Sequence, residues 1–182
     1  NMEPTLDQKW LNLKVSASDA ATTVKVVVKD KEGKEVSTIS GKPGDIMRAK
    51  FTEVHPWSPD DPYLYDVFLS LEKDGKVVDE VKSYCGMRKI EVKQDENKIP
   101  RIYLNGKQIF ELGPLDQGFW PDGLHTAPSD EALLFDIKAM KDLGCNMIRK
   151  HIKVEPDIFY YECDRLGMFV LQDMVNNGEY SF

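Results

Sequence analysis

The chain has 182 residues, of which 41% are hydrophobic and 30% charged, and its formal net charge is −7. This composition predicts a core-forming protein of one ordinary domain or two small ones, and it excludes a disordered chain. The negative charge argues against a nucleic-acid partner, which would require a basic face. No apolar run approaches the length of a membrane span and no leader-like segment opens the sequence, so we expect no membrane partner and leave the compartment open.

The first half of the chain has the alternation of short strands. Apolar residues predict strands over 10–15, 21–29, 36–39, 46–54, 64–72 and 77–84. Asp74-Gly75 lies between two of these runs and predicts a tight hairpin. Six or seven strands at short intervals, without a helix candidate, indicate an antiparallel β-sandwich over residues 1–92.

The second half, residues 93–182, changes to an alternation of strands and helices. The predicted elements are a strand over 108–112, a helix between Ser129 and Gly144, a strand over 146–152, a helix between Pro156 and Gly167, and a strand over 168–172. Such a series requires a parallel sheet, in either a doubly wound fold or a (β/α)₈ barrel. No glycine-rich nucleotide motif follows any strand, which disfavours a nucleotide-binding fold, and we expect no cofactor.

Polar side chains follow each of the three predicted parallel strands. They are Asp116 and Gln117, then Arg149 and His151, then Asp173 after Gln172. Because the carboxyl ends of parallel strands form one rim, we expect these side chains to converge on a binding surface. The alternative for any one of these clusters is an ordinary solvated face.

The remaining candidates each have a structural alternative. Trp120 in "GFWPDG" either stacks on a ligand ring or packs against its loop. Trp57 is interpreted as a core anchor and Asp122 as a turn residue. The odd number of cysteines, without a CxxC pair, indicates buried reduced thiols, and the three histidines lack zinc-ligand spacing, so we expect no metal. Reduced thiols are compatible with a cytoplasmic, secreted or periplasmic protein.

Five segments together resemble ordered motifs of glycoside hydrolase family 2. They are "HPWSPDDPYLYDV" (55–67), "YCGMRKIEV" (84–92), "IYLNGKQIFELG" (102–113), "DIKAMKDLGCNMIRKH" (136–151) and "FYYECDRLGMFVLQDM" (159–174). The resemblance implies an immunoglobulin-like β-sandwich over 1–92, followed by the first three strands and two helices of a (β/α)₈ barrel. It also implies that Arg149 is a substrate-site arginine, whereas His151 is offset by one position from the family's histidine.

Family members are retaining glycosidases that act on β-glycosidic bonds. The resemblance implies the same activity for the protein from which this chain comes. It places their two catalytic glutamates on the fourth and seventh barrel strands, beyond residue 182. We therefore expect no catalytic residue in this chain, and the chain alone to be inactive. Its substrate-binding candidates are Arg149, His151, Asp116, Gln117, Asp173 and Trp120.

Two further expectations follow. Three parallel strands normally have both faces covered and close into a ring, so we expect self-association through the exposed partial barrel, or poorly ordered last residues.

The alternative to a glycosidase fragment is a non-catalytic carbohydrate-binding or scaffold module. A doubly wound small-molecule domain is a third interpretation, which the motif series disfavours.

Overall fold

The computed structural model describes residues 1–175 and contains mostly antiparallel strands with two helices. The strands are β1 Met2–Thr5, β2 Trp10–Lys14, β3 Thr23–Lys29, β4 Glu35–Gly41, β5 Ile46–Lys50, β6 Tyr65–Lys73, β7 Lys76–Cys85, β8 Ile90–Gln94, β9 Pro100–Leu104, β10 Lys107–Gln108, β11 Leu115–Asp116, β12 Met147–Lys150 and β13 Phe169–Gln172. The helices are α1 Asp130–Asp142 and α2 Asp157–Leu166. Within residues 1–175, neither helix is long and apolar enough to cross a membrane.

Seven strands form two antiparallel sheets in the first part of the chain. One sheet has the order β1-β2-β5 and the other the order β4-β3-β6-β7. Their inward side chains share one core, which includes Leu11, Leu13, Val24, Val26, Val28, Met47, Ala49, Tyr65, Val67 and Cys85. This arrangement is consistent with the predicted β-sandwich.

The predicted hairpin and the buried tryptophan are both present. Asp74 and Gly75 have φ angles of 51° and 75° between the paired ends of β6 and β7. Two positive φ angles match the right-handed twist of the flanking strands, which explains the Asp-Gly sequence. Trp57 is fully buried, and its backbone N–H donates to the Met87 carbonyl at 3.0 Å. Trp57 is therefore the core anchor that the sequence predicted.

The chain divides into two compact units. The first contains residues 1–58 and 63–109, and the second contains residues 59–62 together with the chain from Phe110 onward. The predicted boundary at 92/93 falls inside β8, which pairs with β9 in the register Ile90↔Leu104. Because β8, β9 and β10 form one antiparallel sheet, the first unit continues beyond the predicted boundary.

The second unit contains a parallel sheet in the order β11-β12-β13, with α1 and α2 as the connections. The helix predicted to follow Ser129 begins there: the Ser129 hydroxyl accepts a hydrogen bond from the Ala132 N–H at 3.3 Å and caps α1. Both helices pack against one face of this sheet, around a core of Leu133, Ile137, Ile148, Phe159, Cys163 and Met168. The predicted β-α-β-α-β order is therefore present.

The first parallel strand lies later than predicted. Asn105 and Gly106, with φ angles of 51° and 81°, fold Gln108 back to pair antiparallel with Tyr103. The chain runs beside β12 from Leu112 onward, where the Leu112 carbonyl accepts from the Met147 N–H at 3.3 Å and the Pro114 carbonyl accepts from the Arg149 N–H at 3.0 Å. An Asn-Gly hairpin thus uses the residues that were predicted to begin the parallel sheet.

Candidate functional site

Side chains at the carboxyl ends of β11, β12 and β13 lie in two rows on opposite faces of the sheet. Leu115, Arg149 and Leu171 are aligned in one row of the register, and Asp116, Lys150 and Gln172 in the next. Successive residues of a strand point to opposite faces. Ile148 belongs to the core beneath the helices, so Lys150 points towards the helices and Arg149 points away from them.

The face away from the helices carries an arginine–aspartate pair. Arg149 Nε donates to Asp173 Oδ1 at 3.1 Å, and Arg149 Nη2 donates to Asp173 Oδ2 at 3.1 Å. The guanidinium lowers the pKa of Asp173 below its ordinary value, and the carboxylate raises the pKa of Arg149. A bidentate pair of this kind fixes the orientation of both side chains at the ends of neighbouring strands. Arg149 and Asp173 are therefore held together at this rim.

The helix-facing side carries a buried lysine that the sequence analysis missed. The Lys150 side chain is 1% exposed, and its ammonium lies 5.0 Å from the centroid of the Phe159 ring. It donates to Asp116 Oδ2 at 2.7 Å and forms an ion pair with Glu155, whose side chain is 2% exposed. Asp116, which was predicted to join Arg149, is instead held on the other side of the sheet.

The network of Lys150, Asp116 and Glu155 also fixes the two loops that follow β11 and β12. Asp116 Oδ1 accepts from the Gly118 N–H at 2.7 Å, and Lys153 Nζ donates to the Gly118 carbonyl at 2.9 Å. Lys153 is also 3.0 Å from Glu155 Oε1. The loops 117–125 and 151–156 are therefore tied to each other through charged groups anchored on β11 and β12.

The acid Asp136 on α1 interacts electrostatically with this network. Its pKa is raised by partial burial and by the negative charge of Asp116, and lowered to a smaller extent by Lys150. Three acids, Asp116, Asp136 and Glu155, therefore lie around Lys150 and Lys153 on the helix-facing side.

His151 and Gln117 lie together at the rim. Gln117 Nε2 is 3.2 Å from His151 Nδ1, and the His151 N–H donates to the Asp116 carbonyl at 2.9 Å. Strand β12 ends at Lys150, and Ile152 has a positive φ of 48°. The expected convergence is therefore partial, because His151 meets Gln117 while Asp116 pairs with Lys150.

Trp120 packs against the core of the second unit. Its backbone exchanges two hydrogen bonds with Leu124, from Trp120 N–H to Leu124 O at 2.7 Å and from Leu124 N–H to Trp120 O at 3.1 Å. The indole is half-buried against the helix-facing core, and its Nε1 is buried without a hydrogen-bond partner. Of the two roles considered for Trp120, this placement supports packing. Asp122 is exposed in the intervening turn, as predicted.

Two of the three cysteine thiols are buried. Burial raises the pKa of Cys85 and of Cys163 to about 12, and Cys145 is half-buried. Within residues 1–175, no group of three or more His, Cys, Asp and Glu side chains is placed to hold a metal ion.

Comparison with known proteins assigns the family. The profile of "Glycosyl hydrolases family 2" matches residues 2–88. This chain belongs to glycosyl hydrolases family 2. The resemblance recognised in the sequence is thereby confirmed.

Relatives in this family are named as glycosidases. A beta-galactosidase of Lactobacillus delbrueckii subsp. bulgaricus is 31% identical over 82% of this chain, and a putative beta-glucuronidase of Formosa agariphila is 29% identical over 78% of it. The matched region spans 14% of the length of each relative. A beta-glycosidase from Bacteroides vulgatus has a similar structure, with a TM-score of 0.80 at 25% identity, covering 96% of this chain and 23% of that protein. The chain is thus similar to a minor part of each.

Proposed function

We propose that this chain is part of a retaining β-glycosidase and that its second unit is the beginning of a (β/α)₈ barrel. The parallel order β11-β12-β13, with one helix in each connection, supports this assignment. Relatives named beta-galactosidase and putative beta-glucuronidase support a β-glycosidic substrate. In such barrels the carboxyl ends of the strands form the substrate face.

The observation that carries the proposal is the Arg149–Asp173 pair at the ends of β12 and β13. Sugar hydroxyl groups both donate and accept hydrogen bonds, so a fixed guanidinium beside a fixed carboxylate suits them. Gln117 and His151 lie at the same rim and add further polar atoms. We assign these four side chains to sugar binding, and we assign Asp116 to holding its loop.

The chain alone is proposed to be inactive. Retaining hydrolysis requires a proton donor and a nucleophilic carboxylate about 5–5.5 Å apart. Asp173 is kept ionised by Arg149, so it is a poor proton donor. Asp116 is held by Lys150 on the opposite side of the sheet. These constraints agree with the expectation that both catalytic glutamates lie outside these 182 residues.

The test combines a binding map with an activity assay. We expect methyl β-D-galactopyranoside to shift the backbone NMR signals of residues 116–117, 149–151 and 173 in the isotope-labelled protein. Aryl β-galactosides and aryl β-glucuronides should not be hydrolysed above a matched blank. Shifts confined to the sandwich strands would overturn the assignment of the sugar site, and hydrolysis would overturn the proposed inactivity.

A further inference from the structure

We propose that strand β7 is an interface strand, which pairs antiparallel with β7 of a second copy of this chain. β7 is the last strand of its sheet, and within residues 1–175 it pairs only with β6. It contains ten residues, Lys76–Cys85, of which the first seven are exposed. Because the outer edge of such a strand presents unpaired backbone N–H and C=O groups, β7 is able to accept one further strand.

A hydrogen bond of Glu80 shows which residues of β7 present their backbone to the open edge. The Glu80 N–H donates to Asp79 Oδ1 at 2.9 Å, so it is directed away from β6. Backbone direction alternates along an antiparallel strand, so Lys82 is directed to the same edge. Val81 lies between them, opposite Leu69 of β6. A partner strand therefore meets the backbone groups of Glu80 and Lys82, and displaces only the exposed side chain of Asp79.

One register of the two copies places opposite charges across the interface. With Val81 opposite Val81 of the second copy, each Glu80 lies opposite a Lys82, and each Asp79 lies opposite a Ser83. The register changes in steps of two residues, because outward-directed backbone groups recur at every second position. A step in one direction places Glu80 opposite itself, and a step in the other places Lys82 opposite itself. Since like charges directly opposite are destabilising, the charges select the register centred on Val81.

An apolar groove beside β7 favours the same pairing. The groove has a volume of about 360 Å³, and its lining includes Val81, Leu69 and Leu71 together with Met2 and Leu13 of the other sheet. Val81 is 56% exposed there. Pairing centred on Val81 brings the two valine side chains together and removes apolar surface from water, which stabilises the contact. The second copy thus matches β7 in backbone direction, in charge and in apolar surface.

Cysteine cross-linking tests the contact directly. In Val81→Cys, the new thiol lies opposite that of the second copy, at a Cα separation of about 4.5 Å, which suits a disulfide. We expect mild oxidation to give a disulfide-linked dimer on a non-reducing gel, and the wild type supplies the blank for the native cysteines. Val92→Cys is the matched control, because Val92 is 70% exposed on β8, an edge strand of a different sheet. It should give at least about fivefold less dimer. Equal yields from the two variants would overturn the proposal.

Charge reversal in the Val81→Cys protein tests the register. Glu80→Lys places two lysines opposite each other and should lower the yield of dimer about threefold or more. Adding Lys82→Glu restores opposite charges and should restore the yield. The Lys82–Asp66 ion pair is exposed, so its loss has little effect on folding. An unchanged yield in the single reversal, or no recovery in the double reversal, would overturn the register. Cross-linking at residue 81 reports this contact alone, whether or not other surfaces of the protein associate.

Discussion

Arg149 and Lys150 are adjacent in the chain, yet their charged groups lie on opposite faces of the parallel sheet. Arg149 is paired with Asp173 on the face away from the helices, and Lys150 is buried with Asp116 and Glu155 beneath the sheet. The two cations therefore have different roles. The first belongs to the proposed ligand surface, and the second ties β11 to the loop after β12.

Substitution of Lys150 should destabilise the second unit. Lys150→Met leaves Glu155 buried without its closest cation, which we expect to cost about 3 kcal/mol of the free energy of unfolding. Urea unfolding followed by the circular dichroism of the helices measures this, because α1 and α2 both lie in the second unit. The exposed Lys138→Met on α1 should stay within about 0.5 kcal/mol of the wild type.

A double variant separates the unpaired charge from the loss of side-chain packing. Lys150→Met combined with Glu155→Leu removes both buried charges, so it should be more stable than Lys150→Met alone. If the double variant is less stable than the single variant, the buried ion pair is not the cause of the effect.

Gly113 should tolerate no side chain. A Cβ atom there would lie 1.6 Å from the carbonyl oxygen of Met147, so alanine must push the chain away from β12. We expect Gly113→Ala to cost about 3 kcal/mol in the same urea experiment. Gly144→Ala is the control, since its φ of +85° is strained for alanine but no atom lies within 4 Å of the new methyl group. Gly144→Ala should lower the free energy of unfolding by about 1 kcal/mol. Equal losses in Gly113→Ala and Gly144→Ala would argue against the close approach of Gly113 to Met147.

The sandwich was predictable from sequence because the alternation of apolar and polar residues along a strand shows which face of the strand is buried. Val24, Val26 and Val28 alternate in the sequence and all lie in the core. Lys150 shows the limit of the same rule. Its position two residues after buried Ile148 places it on the buried face, but a lysine at a strand end is ordinarily solvated. Its burial depends on Asp116, 34 residues away in the chain, and such a distant pairing leaves no local pattern.

Asp173 should titrate at a lower pH than an ordinary aspartate. Because Arg149 lowers its folded-state pKa, the pair stabilises the fold above the ordinary pKa of 3.8 and loses this contribution as the pH falls through the lowered value. Carboxyl carbon chemical shifts measured against pH test this. Arg149→Ala should raise the pKa of Asp173. The pKa of Asp95, which is lowered mainly by a hydrogen bond from the Ile99 N–H, should stay unchanged in this variant. An unchanged pKa of Asp173 would refute the pairing.

We propose that the protein self-associates through the sheet face that carries Leu115 and Leu171, which are 50% and 42% exposed. Arg149 lies in the same row of this sheet, so association at high protein concentration competes with sugar binding there. Exposed apolar groups on a short parallel sheet favour association. Light scattering should give a mass above 20.8 kDa that falls on dilution. Leu171→Lys should lower it, whereas Val92→Lys, at an exposed valine in the first unit, should not. A monomer at all concentrations would contradict this proposal. The alternative expectation of poorly ordered last residues concerns 176–182, which lie outside the described residues.

The most direct test of the central claim is calorimetric titration of methyl β-D-galactopyranoside into the wild type, Arg149→Ala and Arg101→Ala. Arg101 forms the comparable pair with Asp95 in the first unit, so its loss controls for removal of a paired arginine. We predict weak binding to the wild type and to Arg101→Ala, and its loss in Arg149→Ala. Binding of equal strength to all three proteins would show that the carboxyl ends of β12 and β13 are not the sugar site.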